Sequence, residues 1–249
     1  MNIRLFRIYY FIITGLILFS YACIANDTIT IKKYFGDIKV EKEELPANIE
    51  KYKIETGLFE TITKIEGVEE LKNLKYLYIG YGLEDYSFLE KLENIEILAL
   101  ELSPSTIPIN LDFIKKFKKL KTAYFNAVIM ETPILDLVEN NKLEYLFLGN
   151  IRSEKHEKYF KFDIKNVPSS MKCIDLHLSA FIIISETFLE EIIHVPLILL
   201  HKESKSFGNI YKVSKEYIDT HTNIHIDNIN EIIPNELDRD FIYNFFDKE

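Results

Sequence analysis

The sequence predicts an α/β repeat solenoid, a parallel sheet whose strands are joined by helical or 3₁₀ return segments. Two periodicities and one argument from composition lead there. A six-residue apolar frame, written L-x-x-L-x-L with Ile, Val, Tyr, Phe, Ala or Met replacing Leu, recurs along the chain. Between its copies runs a second apolar stripe with a step of three. The chain has 249 residues, 47% of them hydrophobic, which is enough to fill one sizeable core without division into several domains.

The first element in chain order is a secretory signal over residues 1–25. Arg4 and Arg7 make a positive start, and Ile8 to Tyr21 supply fourteen mostly apolar residues, too few and too interrupted by Thr14, Gly15 and Ser20 for a membrane span of about twenty. Behind that run, Ser20-Tyr21-Ala22-Cys23 resembles a degenerate lipobox, the site at which bacterial lipoproteins are cut before an acylated cysteine. Lipidation at Cys23 is the preferred reading. Tyr21 stands where a small residue belongs, so an ordinary cut after Ala22 or after Ala25 stays open beside it. Loss of Arg4 and Arg7 takes the formal net charge from -9 to -11, a balance that disfavours nucleic acid because its phosphates are repelled.

Residues 26–48 are expected to form an amino-terminal hairpin cap, from the alternation in Thr28-Ile29-Thr30-Ile31 and Asp37-Ile38-Lys39-Val40 around Gly36. The repeats follow over 49–204. Their frames are Ile49-Tyr52-Ile54, Leu74-Leu77-Ile79, Ile95-Leu98-Leu100, Leu120-Ala123-Phe125, Leu143-Leu146-Leu148, Met171-Ile174-Leu176 and Val195-Ile198-Leu200, with spacings of 25, 21, 25, 23, 28 and 24 residues. The step of three links Ile62, Ile65, Val68, Leu71 and Leu74, then Leu83, Tyr86, Leu89, Leu92 and Ile95, then Leu111, Ile114, Phe117 and Leu120. It matches 3₁₀-like return segments with one apolar stripe. Amphipathic helices of a doubly wound domain give a similar stripe, but such folds do not usually keep a strand frame at one period. Residues 205–249 are expected to form a carboxy-terminal cap, with an irregular strand at Ile224-His225-Ile226 and a closing helix capped by Asn235 that presents Leu237, Phe241 and Phe245.

These residues resemble the leucine-rich-repeat family, and within it the short bacterial internalin-like repeats. The stretch from Leu83-Glu84-Asp85-Tyr86 through Asn94-Ile95-Glu96-Ile97-Leu98 carries the likeness best, which extends over about Ile49 to Leu200. The resemblance implies a horseshoe with a concave parallel sheet and recognition of a protein or other macromolecule through that sheet. The chain departs from the family at its asparagine position, three residues beyond the last strand leucine, where Gly82, Ser103, Val128, Ile151, Ser179 and Glu203 stand. No asparagine ladder at that position is available to the turn backbone.

Strand alternation then selects the candidate site. The second and third apolar residues of each frame face the core, so the residues before and between them face the other way. In the middle repeats those are Tyr76, Tyr78, Tyr124, Tyr145 and Phe147, expected as the partner-binding patch. Parallel strands about 4.8 Å apart merge equivalent aromatics into one surface, and large stiff aromatics suit recognition. The competing expectation is that the protein's own tail covers them.

Catalytic chemistry has little support. Eight scattered glycines meet no phosphate loop or nucleophile elbow. His221, His225 and Asp227 read as loop and strand, which sets the histidines too far apart for one ion. Cys173, expected as a half-buried apolar filler, lacks an identified supporting acid beside His177 or His201. Lys115, Lys116, Lys118, Lys119 and Lys121 alternate with inward Ile114, Phe117 and Leu120 and so form a solvated outer side. The expected function is therefore an exported binding protein of the cell envelope or surface, or periplasmic or secreted if Cys23 is not acylated. It is not an enzyme, needs no cofactor or metal, and contacts membrane only through a lipid anchor at Cys23. A structural envelope lipoprotein and a hydrolytic enzyme are the alternatives.

Overall fold

The computed structural model describes residues 27–37, 39–56, 60–80, 82–101, 108–132, 134–154, 160–177, 182–200, 211–212, 220–226, 242 and 244–246. Its centre is an open sheet of eight parallel strands: β3 (Lys51–Ile54), β5 (Tyr76–Gly80), β6 (Ile97–Glu101), β7 (Thr122–Asn126), β10 (Tyr145–Gly149), β14 (Cys173–His177), β16 (Leu197–Leu200) and β18 (Ile224–Ile226). Their order across the sheet is their order along the chain. The chain is thus α/β with one large parallel sheet and few helices among the described residues.

Each of the seven expected frames becomes a strand that starts two residues after the first apolar residue of the frame. That first residue, such as Leu74 or Leu143, is buried at the turn into the strand. The next residue begins the pairing with the preceding strand: the N–H of Lys75 donates to the carbonyl of Glu50 at 2.8 Å, Glu96 to Lys75 at 2.7 Å and Lys121 to Glu96 at 2.8 Å. Because the side-chain period of a strand is two, this entry point decides which residues face the main core. Leu77, Leu98, Ala123, Leu146, Ile174 and Ile198 lie opposite one another in register and are all 0% exposed.

The return segments behave as their three-residue step requires. Val68–Glu70, Ser87–Lys91 and Leu111–Lys116 are 3₁₀ turns, in which residues i and i+3 eclipse to give one apolar edge. Ile62, Ile65, Val68 and Leu71 are buried, as are Leu89 and Leu92, and Leu111, Ile114 and Phe117; Tyr86 is half-buried. The return between β14 and β16 contains the helix α1 (Glu186–Ile192), which buries Phe188, Leu189 and Ile192. Short parallel pairs also join the returns: β8 (Ile129–Met130) with β11 (Arg152–Ser153), β9 (Ile134–Asp136) with β13 (Asp163–Lys165), and β12 (Phe160–Lys161) with β15 (Ile182–Ser185) and β17 (Tyr211–Lys212). Successive units therefore stack on one another outside the main sheet as well as within it.

The amino-terminal hairpin forms as β1 (Thr28–Phe35) and β2 (Lys39–Pro46), with β4 (Lys64–Glu66) pairing antiparallel on the other side of β1. Asp37, expected to open the second strand, lies in the turn, and that strand starts at Lys39. Ile31 inserts into the main core at 0% exposed. The outer strand β2 is a run of Lys and Glu that is mostly exposed, which suits an edge that must not pair with another chain. Where the hairpin meets the sheet, Tyr52 donates to the Glu43 carboxylate at 2.9 Å, and burial, then that carboxylate, pushes its phenol well above the ordinary range.

Candidate binding face

Two rows of side chains occupy the sheet face opposite the main core. One row runs Lys53, Tyr78, Ala99, Tyr124, Phe147, Asp175, Leu199 and His225 in strict register; the other runs Lys51, Tyr76, Ile97, Thr122, Tyr145, Cys173 and Leu197. Lysines bound this face at the β3 end and His225 bounds it at β18. Between them lies a second apolar cluster, separate from the main core, containing Tyr78, Ala99, Tyr124, Phe147, Cys173 and Leu199. All five aromatics expected from alternation stand on this one face.

Their packing explains a motif that alternation alone leaves unread. Strands β5 and β10 carry Tyr-Leu-Tyr-Ile-Gly and Tyr-Leu-Phe-Leu-Gly. The ring two residues before each glycine leans over it: a Cβ on Gly80 would lie 2.8 Å from the Tyr78 ring, and one on Gly149 would lie 2.5 Å from the Phe147 ring. That tilt brings Phe147 onto Tyr124 as a parallel stack with centroids 4.3 Å apart and planes 7° from parallel.

Polar rows flank the apolar face on both sides. Toward the strand ends, Tyr78 donates to the buried Glu101 carboxylate at 3.0 Å, Asn126 donates to the same carboxylate at 3.5 Å, and Asn150 donates to the side-chain Oδ1 of Asn126 at 3.0 Å. Toward the strand starts, the second frame position alternates in sign: Glu50, Lys75, Glu96, Lys121, Glu144, Lys172. Lys75 pairs with Glu50 at 2.6 Å, Lys121 with Glu96 at 2.7 Å, and Lys172 with Glu144. The charged row recurs at one position of the frame, whereas Asn150 stands one place beyond the register of Glu101 and Asn126.

Three residues near the carboxy terminus close over the face. Ile242 and Phe246 are buried in the second cluster and Phe245 is half-buried against it. Phe245 meets Tyr76 edge-on at 5.2 Å and 86°, and Phe246 meets Tyr78 at 5.6 Å and 49°. The Lys51 ammonium donates to the Phe245 carbonyl at 3.0 Å and lies 5.4 Å from its ring centroid. Tyr78, Tyr124 and Phe147 are consequently 1%, 2% and 8% exposed, whereas Tyr76 and Tyr145 remain half-buried. The expected patch is assembled in one place, but it is largely covered and not open. Of the expected closing helix, Phe245 belongs to the seat; Asn235, Leu237 and Phe241 lie outside the described residues, and Ile242 and Phe246 were the contacts that the sequence reading missed.

The remaining candidates separate cleanly. Lys116, Lys118, Lys119 and Lys121 are exposed and Lys115 is half-buried, while Ile114, Phe117 and Leu120 are 0% exposed. The lysines engage carboxylates and amides of neighbouring units, among them Lys116 with Glu90 and Lys119 with Asn94. Cys173 is 1% exposed, a fully buried thiol and not a half-buried one, in the second cluster that also holds Ile242 and Phe246. His221 lies outside the strand that holds His225, and His201 and Asp227 lie outside the described residues. Among the described residues no three of His, Cys, Asp and Glu gather as metal ligands, and no helix is long and apolar enough to cross a membrane. Cys23 and the signal segment fall outside the described residues. No family model matches the chain, and neither does any curated protein.

Proposed function

We propose that the chain is an exported leucine-rich-repeat protein that binds a protein partner through the aromatic face of its parallel sheet. One observation carries the reading: the apolar frame recurs strand after strand, in chain order, in one open sheet whose second face bears aromatics stacked in register. Stiff aromatic area with hydroxyls at its rim is the surface chemistry of recognition. Export follows from the amino-terminal sequence, with acylation of Cys23 as its anchor to the envelope.

Capture of envelope proteins on the immobilised mature chain supplies the partner for the decisive measurement. Affinity is then compared for Tyr76→Ala/Tyr145→Ala and for the outer-side pair Lys116→Ala/Lys119→Ala, after circular dichroism shows both folded. Tyr76 and Tyr145 are chosen because they are the half-buried members of the five and cost the fold least. The aromatic pair is expected to weaken binding by between about thirtyfold and about a thousandfold, the effect of one or of both contact aromatics at about 2 kcal/mol each. Wild-type affinity in the aromatic pair, with loss in the lysine pair, overturns the assignment.

A further inference from the structure

We propose that the aromatic face is a receptor for an amphipathic helix, that Ile242, Phe245 and Phe246 occupy it as an intramolecular ligand, and that a partner helix of the same pattern takes their place. This rests on the reading of that face as the binding surface and specifies what it binds. The pattern is set by the occupant: an aliphatic residue, Ile242, followed at i+3 and i+4 by Phe245 and Phe246, the spacing that places three side chains on one helical face. The seat is complementary to it. Tyr76 and Tyr78 receive the two rings, and the Lys51 ammonium holds the Phe245 carbonyl at 3.0 Å.

Three features make the occupant exchangeable. The apolar cluster it closes is separate from the main core, so uncovering the face leaves the packing between sheet and return segments intact. Phe245 and its partner Tyr76 are both half-buried, so the seat is open to solvent at that edge. Between Ile226, the end of the last strand, and Ile242 lie fifteen residues. Such a connector extends to roughly 50 Å, against roughly 34 Å for the width of eight parallel strands, so the segment leaves its seat without unpairing β18.

The test uses the mature chain and a fluorescent peptide of residues 235–249. Hydrogen exchange on the wild type is expected to show the amides of residues 242–246 opening at least a hundredfold more readily than those of Leu98 and Leu146. The labelled peptide is expected to bind Phe245→Glu/Phe246→Glu at least about thirtyfold more tightly than wild type, because the variant's own segment no longer competes. Equal protection of residues 242–246 and the sheet overturns the proposal, as does a folded variant that binds the peptide no better than wild type. If the variant unfolds, the wild-type exchange pattern decides. Peptide binding without any captured envelope partner sustains the receptor and defeats the proposed function; capture of a partner by a chain whose segment stays protected does the reverse.

Discussion

At the scale of single residues, what separates Leu146 from Tyr145 is one step along a strand. Leu146 is 0% exposed in the main core, whereas Tyr145 is half-buried on the other face with the Lys172 ammonium 5.6 Å from its ring. Leu146→Asp puts a carboxylate among hydrocarbon with no partner and is expected to cost about 4 kcal/mol. Tyr145→Asp keeps its charge near Lys172 and solvent, and is expected to cost about 1 kcal/mol. Chemical denaturation of the two variants measures the difference, and equal losses, or a larger one at Tyr145, reverse the faces. The glycines act at the same scale. Gly80 and Gly149 are small because an aromatic ring lies where their side chain would be.

At the scale of elements, the return segments are where backbone groups need partners. The asparagine position of the resembled repeats is vacant here, and asparagines from other places do that work. The Asn140 amide donates to the carbonyls of Ile114 and Phe117 at the end of the third 3₁₀ turn, and Asn223 donates to those of Ile193 and Val195. Asn140 is 0% exposed, and both carbonyls also accept a backbone N–H, from Phe117 and Leu120, so Asn140→Ala loses two buried hydrogen bonds and is expected to cost about 2 kcal/mol. Asn94→Ala, at a half-buried site whose amide donates to the Lys72 carbonyl and accepts from Lys119 near the surface, is expected to cost under about 1 kcal/mol in the same thermal melts.

Asp136 shows the electrostatic side of the same packing. It accepts from Asn166 at 2.8 Å and pairs with Lys115 at 3.3 Å, and the Asn166 hydrogen bond, then Lys115, hold its carboxyl below the ordinary value of 3.8. A depressed folded-state pKa contributes stability above the unfolded value and loses it as pH falls through the folded one. Stability measured between pH 5 and about pH 2.5 is therefore expected to fall more steeply in wild type than in Asp136→Asn. Parallel slopes remove Asp136 as a contributor.

At the scale of the whole molecule, one sheet carries apolar packing on both faces. The main core lies under the return segments, and the second cluster lies under residues 242–246. The charged hairpin closes the β3 end, and its first described residue, Asp27, follows Cys23 by four positions. If Cys23 is acylated, that short stretch holds the hairpin end beside the membrane. Cys23→Ser is expected to abolish incorporation of labelled palmitate and to move the protein from the membrane fraction to the soluble one. A wild-type protein that takes up no label and starts at Asn26 removes the anchor.

The sequence by itself determined the strand frame, its phase and the main core. Those follow from local periodicity: a period of two within each strand and a step of three between strands fix which residues are inward, whatever the units pack against. The same alternation gathered Tyr76, Tyr78, Tyr124, Tyr145 and Phe147 on one face. Only the tertiary structure decided what lies over that face. Ile242 and Phe246 are separated by more than 90 residues from the Tyr124 and Phe147 that share their cluster, and no period connects them. Their contact depends on where the chain turns after the last strand, and an amphipathic segment states that it has an apolar side without stating which surface receives it.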